Sequence, residues 1–106
     1  MPQYSFNGTN FIVGKDAEDN WKIILESYND YYWVHADNIP SAHVIIEIDE
    51  PLQEEFQYAC DLCKKHTKIK NKNKAIKFVT TQISNLKLGS KPGEVYFKDN
   101  NKCVIL

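Results

Sequence analysis

The chain has 106 residues, 42% hydrophobic and 25% charged, which suits one globular domain with a modest core and leaves no room for a second. The start, Met1-Pro2-Gln3-Tyr4, lacks the basic segment and apolar run of a secretory signal, and no membrane-length apolar stretch follows, so a membrane partner is not expected; three cysteines without such a signal fit a reduced, cytoplasmic protein. The net charge of −1 conceals a division, −9 over residues 1–59 against +8 over residues 60–106, so a basic face for nucleic acid is not excluded.

In chain order, Tyr4 to Phe6 and Phe11 to Val13 read as short strands around Asn7-Gly8-Thr9-Asn10, a hairpin signal. Asp16 is placed to cap a helix from Ala17 to Tyr28, with Trp21, Ile24, Leu25 and Tyr28 recurring at helical spacing. Two strands around Trp33 and Val44 come next. Pro51 then opens a second helix from Leu52 to His66, whose inward stripe is Leu52, Phe56, Ala59, Cys60 and Cys63. Beyond the polar segment Lys68 to Lys74, alternating Ile76, Phe78 and Thr80 predict another strand. Val95 to Phe97 and Cys103 to Ile105 predict a closing hairpin around Asp99-Asn100-Asn101. The expected architecture is α+β: a single domain over residues 1–106, mainly an antiparallel sheet built from hairpins, with two helices.

The stretch from Asp30 to Ile46 carries the most information. Its two β-branched and aromatic runs flank Asp37-Asn38-Ile39-Pro40, the pattern of antiparallel strands joined by a loop. Centred on Ile39, the pairing sets Trp33 opposite Ile45, Val34 opposite Val44 and His35 opposite His43. Alternation then gives Tyr32, Val34, Val44, Ile46 and Ile48 to a core face, and Trp33, His35, His43 and Ile45 to the other. Two imidazoles and an indole thus fall within mutual reach.

Trp33-Val34-His35 followed by Pro40-Ser41-Ala42-His43-Val44 resembles the signature of the NFACT-R family, the RNA-binding module of ribosome-associated quality-control factors, also known as a short standalone eukaryotic protein. Gly14-Lys15-Asp16, Asn20, Thr67-Lys68, Ser84-Asn85-Leu86-Lys87 and Lys91-Pro92-Gly93-Glu94-Val95 extend the resemblance from about Val13 to the C-terminus. It implies a module that recognises structured RNA, tRNA or rRNA, in translation or ribosome quality control, with DNA as a second ligand. Larger members add an N-terminal domain and a coiled coil, so a protein partner supplying those parts is also implied. The chain departs from the family at Val34, where an aromatic is usual, at Thr80, where Tyr is usual, and in having no Arg.

Lysines are the natural phosphate contacts. Seven fall within residues 64–77, and Lys68, Lys70 and Lys74 would project from one side of an extended segment, with Lys15 and Lys91 widening the footprint. The plainer reading is a solvated loop. With every basic residue a Lys, the bidentate fork that reads guanine is missing, which favours backbone and shape recognition. His35 and His43 could hydrogen-bond a phosphate or 2′-hydroxyl, turning cationic near acidic groups, or could be framework residues bonding Ser41 or Asp37. Trp33 could stack on an unpaired base or lie buried.

Cys60-Asp61-Leu62-Cys63 with His66 has zinc-like spacing, but inside a predicted helix, on its apolar stripe, it reads as core. No metal or cofactor is expected. Nor does a nucleophile elbow, glycine-rich phosphate loop or zinc-protease helix occur, so the chain reads as a binder, not an enzyme. Two alternatives stay open: a protein adaptor acting through the acidic first half, and a nuclease or phosphotransferase using His35 and His43 as acid and base. The expected nucleic-acid contacts are Lys15, Trp33, His35, Ser41, His43, Lys68, Lys70, Lys74 and Lys91.

Overall fold

Asn7 and Gly8 both adopt positive φ, 55° and 76°, the left-handed pair that a tight hairpin turn of matching twist demands. They join β1 (Gln3–Phe6) to β2 (Thr9–Val13). This computed structural model describes residues 2–37, 39–67 and 76–99, and the backbone of 103–105. The further elements are α1 (Ala17–Leu25), β3 (Tyr32–Ala36), β4 (Val44–Ile46), α2 (Gln53–Lys65), β5 (Phe78–Gln82), β6 (Leu86–Leu88), β7 (Val95–Phe97) and β8 (Cys103–Ile105). The fold is α+β, as the pattern predicts. Six strands form an antiparallel sheet in the order β1-β2-β4-β3-β5-β8, and β6 pairs with β7 in a sheet of two.

That last pairing corrects the expected closing hairpin. Leu86-Lys87-Leu88 is a short apolar-polar-apolar strand that captures Val95–Phe97, while Cys103–Ile105 adds to β5 instead. The bond from Lys98 N–H to the Asn85 carbonyl, 2.8 Å, ties down the end of this small sheet.

The central register is the expected one, with Tyr32 opposite Ile46, Trp33 opposite Ile45 and Val34 opposite Val44. Both faces of the sheet are covered. On one, Phe11, Val13, Val34, Val44, Ile46 and Phe78 pack against Ala59, Cys60, Leu62 and Cys63 of α2. On the other, Trp33, Ile45 and Val79 pack against Ile23 and Ile24 of α1, with Ile83 and Leu86. Because each face meets a helix, the strands are apolar on both sides rather than strictly alternating.

The inner stripe of α1 differs from the one expected, and that of α2 departs from it at the helix start. Asp16 caps α1, accepting from Asp19 N–H at 2.8 Å, and the helix ends at Leu25. It buries Asn20, Ile23 and Ile24, whereas Leu25 is 71% and Tyr28 70% exposed. Asn20 takes a place on the inner stripe beside Ile23 and Ile24, packed against Gly14 and the His43 backbone, while Tyr28 lies beyond the helix end. In α2, Ala59, Cys60 and Cys63 are buried as expected, joined by Leu62, but Leu52 is exposed. Glu55 accepts from the Leu52 N–H at 2.9 Å, closing the helix start. The two cysteines are core residues, and burial pushes the Cys60 thiol up to about 12.

Candidate nucleic-acid interface

The β3–β4 hairpin is closed by Ser41, whose hydroxyl accepts from Ala36 N–H at 3.0 Å and donates to the Ala42 carbonyl at 3.1 Å. The Cys63 thiol bonds the same hydroxyl at 3.3 Å. Ser41 is thus a framework residue of the loop, linking it to α2. The imidazoles make other bonds. Trp33 Nε1–H donates to His43 Nδ1 at 3.1 Å, and His35 Nδ1 lies 2.6 Å from the Ala36 carbonyl. The rings of His35 and His43 meet edge to face at 4.8 Å, and His35 stacks on Trp33 at 5.3 Å.

Trp33 is 2% and His43 3% exposed, while His35 is half-buried. The predicted ligand face of the hairpin is therefore largely an inner face, and Trp33 forms its back wall. Below it, His43 is supported by Asn20 of α1, whose Oδ1 accepts from His43 N–H, and by Gly14 just after β2, whose N–H donates to the His43 carbonyl at 2.9 Å. A Cβ at Gly14 would overlap the Asn20 amide, which explains Gly followed six residues later by Asn.

In front of the imidazoles lies an open cleft of about 460 Å³, lined by Trp33, His35, His43 and Asp37, by Ile39 and Pro40 from the hairpin loop, and by Gly93, Glu94, Val95 and Phe97 opposite. A second groove of about 440 Å³ adjoins it, sharing Pro40 and Gly93, and is lined by Gly14, Lys15, Asn20, Ser41 and Thr67 among others. Lys91, exposed, precedes Pro92 and Gly93 on the rim of that groove. Lys15, Trp33, His35, Ser41, His43 and the base of Lys91 are thus brought to one side of the molecule. Lys68, Lys70 and Lys74 lie outside the described residues, following Thr67 in sequence.

Sequence reasoning missed the far wall of this cleft. Lys91-Pro92-Gly93-Glu94-Val95 carries a family resemblance, but its place depends on Gly93, which takes φ +85° and where a Cβ would come within 3.2 Å of Ala17 Cα. Trp21 Nε1–H completes the attachment, donating to the Glu94 carbonyl at 2.8 Å. The six-residue separation of Gly14 and Asn20 was the available signal for the support beneath His43.

Electrostatics also revise the expected histidine chemistry. Burial pushes His43 down to about 3, with the neighbouring His35 ring acting in the same direction. Burial likewise lowers His35, outweighing the Ala36 carbonyl and Asp37, which act the other way. Both rings are neutral at physiological pH, so the expectation that they turn cationic near acidic groups is corrected: the apolar packing that holds the hairpin disfavours a charge there.

A pH dependence of stability follows. The unfolded chain's imidazole protonates near 6.5 whereas the folded His43 resists to about 3, so the unfolded state takes up the proton first and stability is lost as pH falls through that window. Between pH 7 and pH 5 this ring is expected to remove about 2 kcal/mol. Urea midpoints should fall over that interval in the parent, and fall less in His43→Gln. Parallel pH profiles for the two proteins would contradict the assignment.

The fold and groove define a small α+β domain that presents a supported hairpin and exposed lysines along one side. The chain belongs to the NFACT protein RNA binding domain family, whose match spans residues 3–99, as the Trp33/His35/Ser41/His43 block implies. It is similar to Protein JLP2 of Saccharomyces cerevisiae, 33% identical over 103 residues, a match covering 87% of this chain and 50% of the yeast protein. Its fold is similar to the C-terminal part of the fibronectin/fibrinogen-binding protein from Streptococcus suis, with a TM-score of 0.83 and 23% identity over 97% of this chain and 44% of that one. The chain thus spans about half the length of the curated relative it matches.

Proposed function

We propose that this domain binds structured RNA, tRNA or rRNA, without cleaving it, and serves translation or ribosome-associated quality control in the cytoplasm. The observation that carries the reading is the match to an RNA-binding family across residues 3–99. The adjoining grooves, with Lys15 in one and Lys91 at its rim, supply a surface of suitable chemistry. Lysines fix phosphates without reading bases, so affinity is expected to follow RNA shape more than sequence. A neutral, mutually packed histidine pair suits a binder better than a nuclease, which needs one ring able to hold a proton for the leaving group near neutral pH.

Labelled tRNA, single-stranded RNA and DNA, incubated with the purified protein in EDTA and again with magnesium, test this directly. Retention of intact tRNA in both buffers is expected, with weaker retention of DNA. Cleavage abolished by His35→Ala would replace the binding reading with an enzymatic one. Pull-downs with and without RNase distinguish RNA-bridged partners from a protein supplying the remaining family domains, or from an adaptor's direct contacts.

A further inference from the structure

The cleft in front of His35 and His43 differs from the groove beside it. Asp37 lines it, among the described residues no lysine does, and its walls include Ile39, Pro40, Val95 and Phe97. The Glu94 carboxylate turns away to Ser90 N–H and Tyr96 OH, and the Asp37 carboxylate, with no cation among the described lining residues, makes a poor phosphate site. Apolar walls around a few polar groups, in a volume of about 460 Å³, instead suit a small, flat, neutral group.

The hydrogen bonds on the two imidazoles fix what they present. An indole N–H only donates, so His43 Nδ1 must accept from Trp33 and the proton of the neutral ring sits on Nε2. A carbonyl only accepts, so His35 Nδ1 must donate to Ala36 and its Nε2 keeps the lone pair. Among the described residues the pair therefore carries one remaining donor, on His43, and one remaining acceptor, on His35, in rings 4.8 Å apart that line the same cleft.

We propose that this cleft holds one unpaired nucleobase of a bound RNA by its hydrogen-bonding edge, His43 donating and His35 accepting, while the sugar-phosphate runs along the adjoining Lys15 groove. Each nucleobase has an N–H beside a ring nitrogen or carbonyl on its pairing edge, the complement of this pair. A phosphate offers acceptors alone and would set an oxyanion against the His35 lone pair. Within a duplex the pairing edges are already used and the deep groove is closed to side chains, so the base must come from a bulge, loop or end. This inference rests on the RNA-binding reading above.

A short RNA hairpin with one bulged adenine, the same hairpin fully paired, and the same hairpin with an abasic bulge separate the two claims. The bulged form is expected to bind about tenfold more tightly than the other two, the size of one good base contact. His35→Phe keeps the ring and removes the acceptor, so it should bind the bulged RNA as weakly as the abasic one. Lys15→Glu should weaken all three alike. If the three RNAs bind equally and with steep salt dependence, the domain is an RNA binder and the base pocket is wrong. If none is retained, the RNA reading fails and takes the pocket with it. Should His35→Phe not fold, 2-aminopurine at the bulge reports on the parent protein: altered fluorescence on binding supports the pocket, and unaltered fluorescence in a saturated complex overturns it.

Discussion

Trp33→Ala should be the most damaging single change in this protein, costing about 3–5 kcal/mol, the range for deleting a large buried aromatic from a packed core. Three losses combine. The ring is 2% exposed and packs with Ile23, Ile24, Ile45 and Val79, so its removal leaves a cavity. It stacks on His35 and meets Phe97 edge-on at 5.8 Å, so the cleft loses its back wall. Its N–H is the partner of His43 Nδ1, which is then stranded in a site that also disfavours protonation. In a domain of this size the melting temperature should drop by roughly 15–30 °C. Trp21→Ala is the comparison, since Trp21 is only half-buried and bonds a single carbonyl. Equal losses from the two would mean that the Trp33 face is not a core.

The second large effect is on affinity. Each phosphate neutralised by a lysine releases condensed counterion, with a log-log slope of about −0.7 to −0.9 per contact. With about four to six such contacts, affinity should fall by roughly two to three orders of magnitude between about 50 and 200 mM monovalent salt. Lys15, Lys91, Lys68, Lys70 and Lys74 are the residues expected to set the slope. Reversing Lys68, Lys70 and Lys74 together should flatten it and weaken all RNA sequences alike. A nearly flat salt dependence in the parent would remove the electrostatic basis of the proposed function.

The hairpin was legible because its information is local: β-branched runs, a Pro-containing loop and period-two alternation fix the pairing of Trp33 with Ile45 without reference to the rest of the chain. The turn at Asn7-Gly8 was legible for the same reason. What the sequence hid is non-local. Whether the Trp33 face meets solvent depends on Ile23 and Ile24 arriving from α1 and on Leu86 from a strand of three residues, too short to announce itself by periodicity. The stripe of α1 was misassigned because a buried Asn counts as polar in any amphipathic pattern, yet Asn20 faces inward to hold the His43 backbone. The far wall of the cleft was hidden because its position is set by one glycine conformation and one indole bond.

That attachment has a mechanical meaning. Gly93 faces Ala17 with no room for a larger residue between them, Trp21 grips the Glu94 carbonyl, and Asn20 and Gly14 hold His43 on the opposite side. Helix α1 is thereby a common brace for both jaws, and the gap between them is gauged by the side chains of Trp21 and Asn20, each fastened to a main-chain group of a jaw. An incoming ligand meets an aperture whose ordering cost was met during folding, so association should be limited by encounter and desolvation rather than by closure.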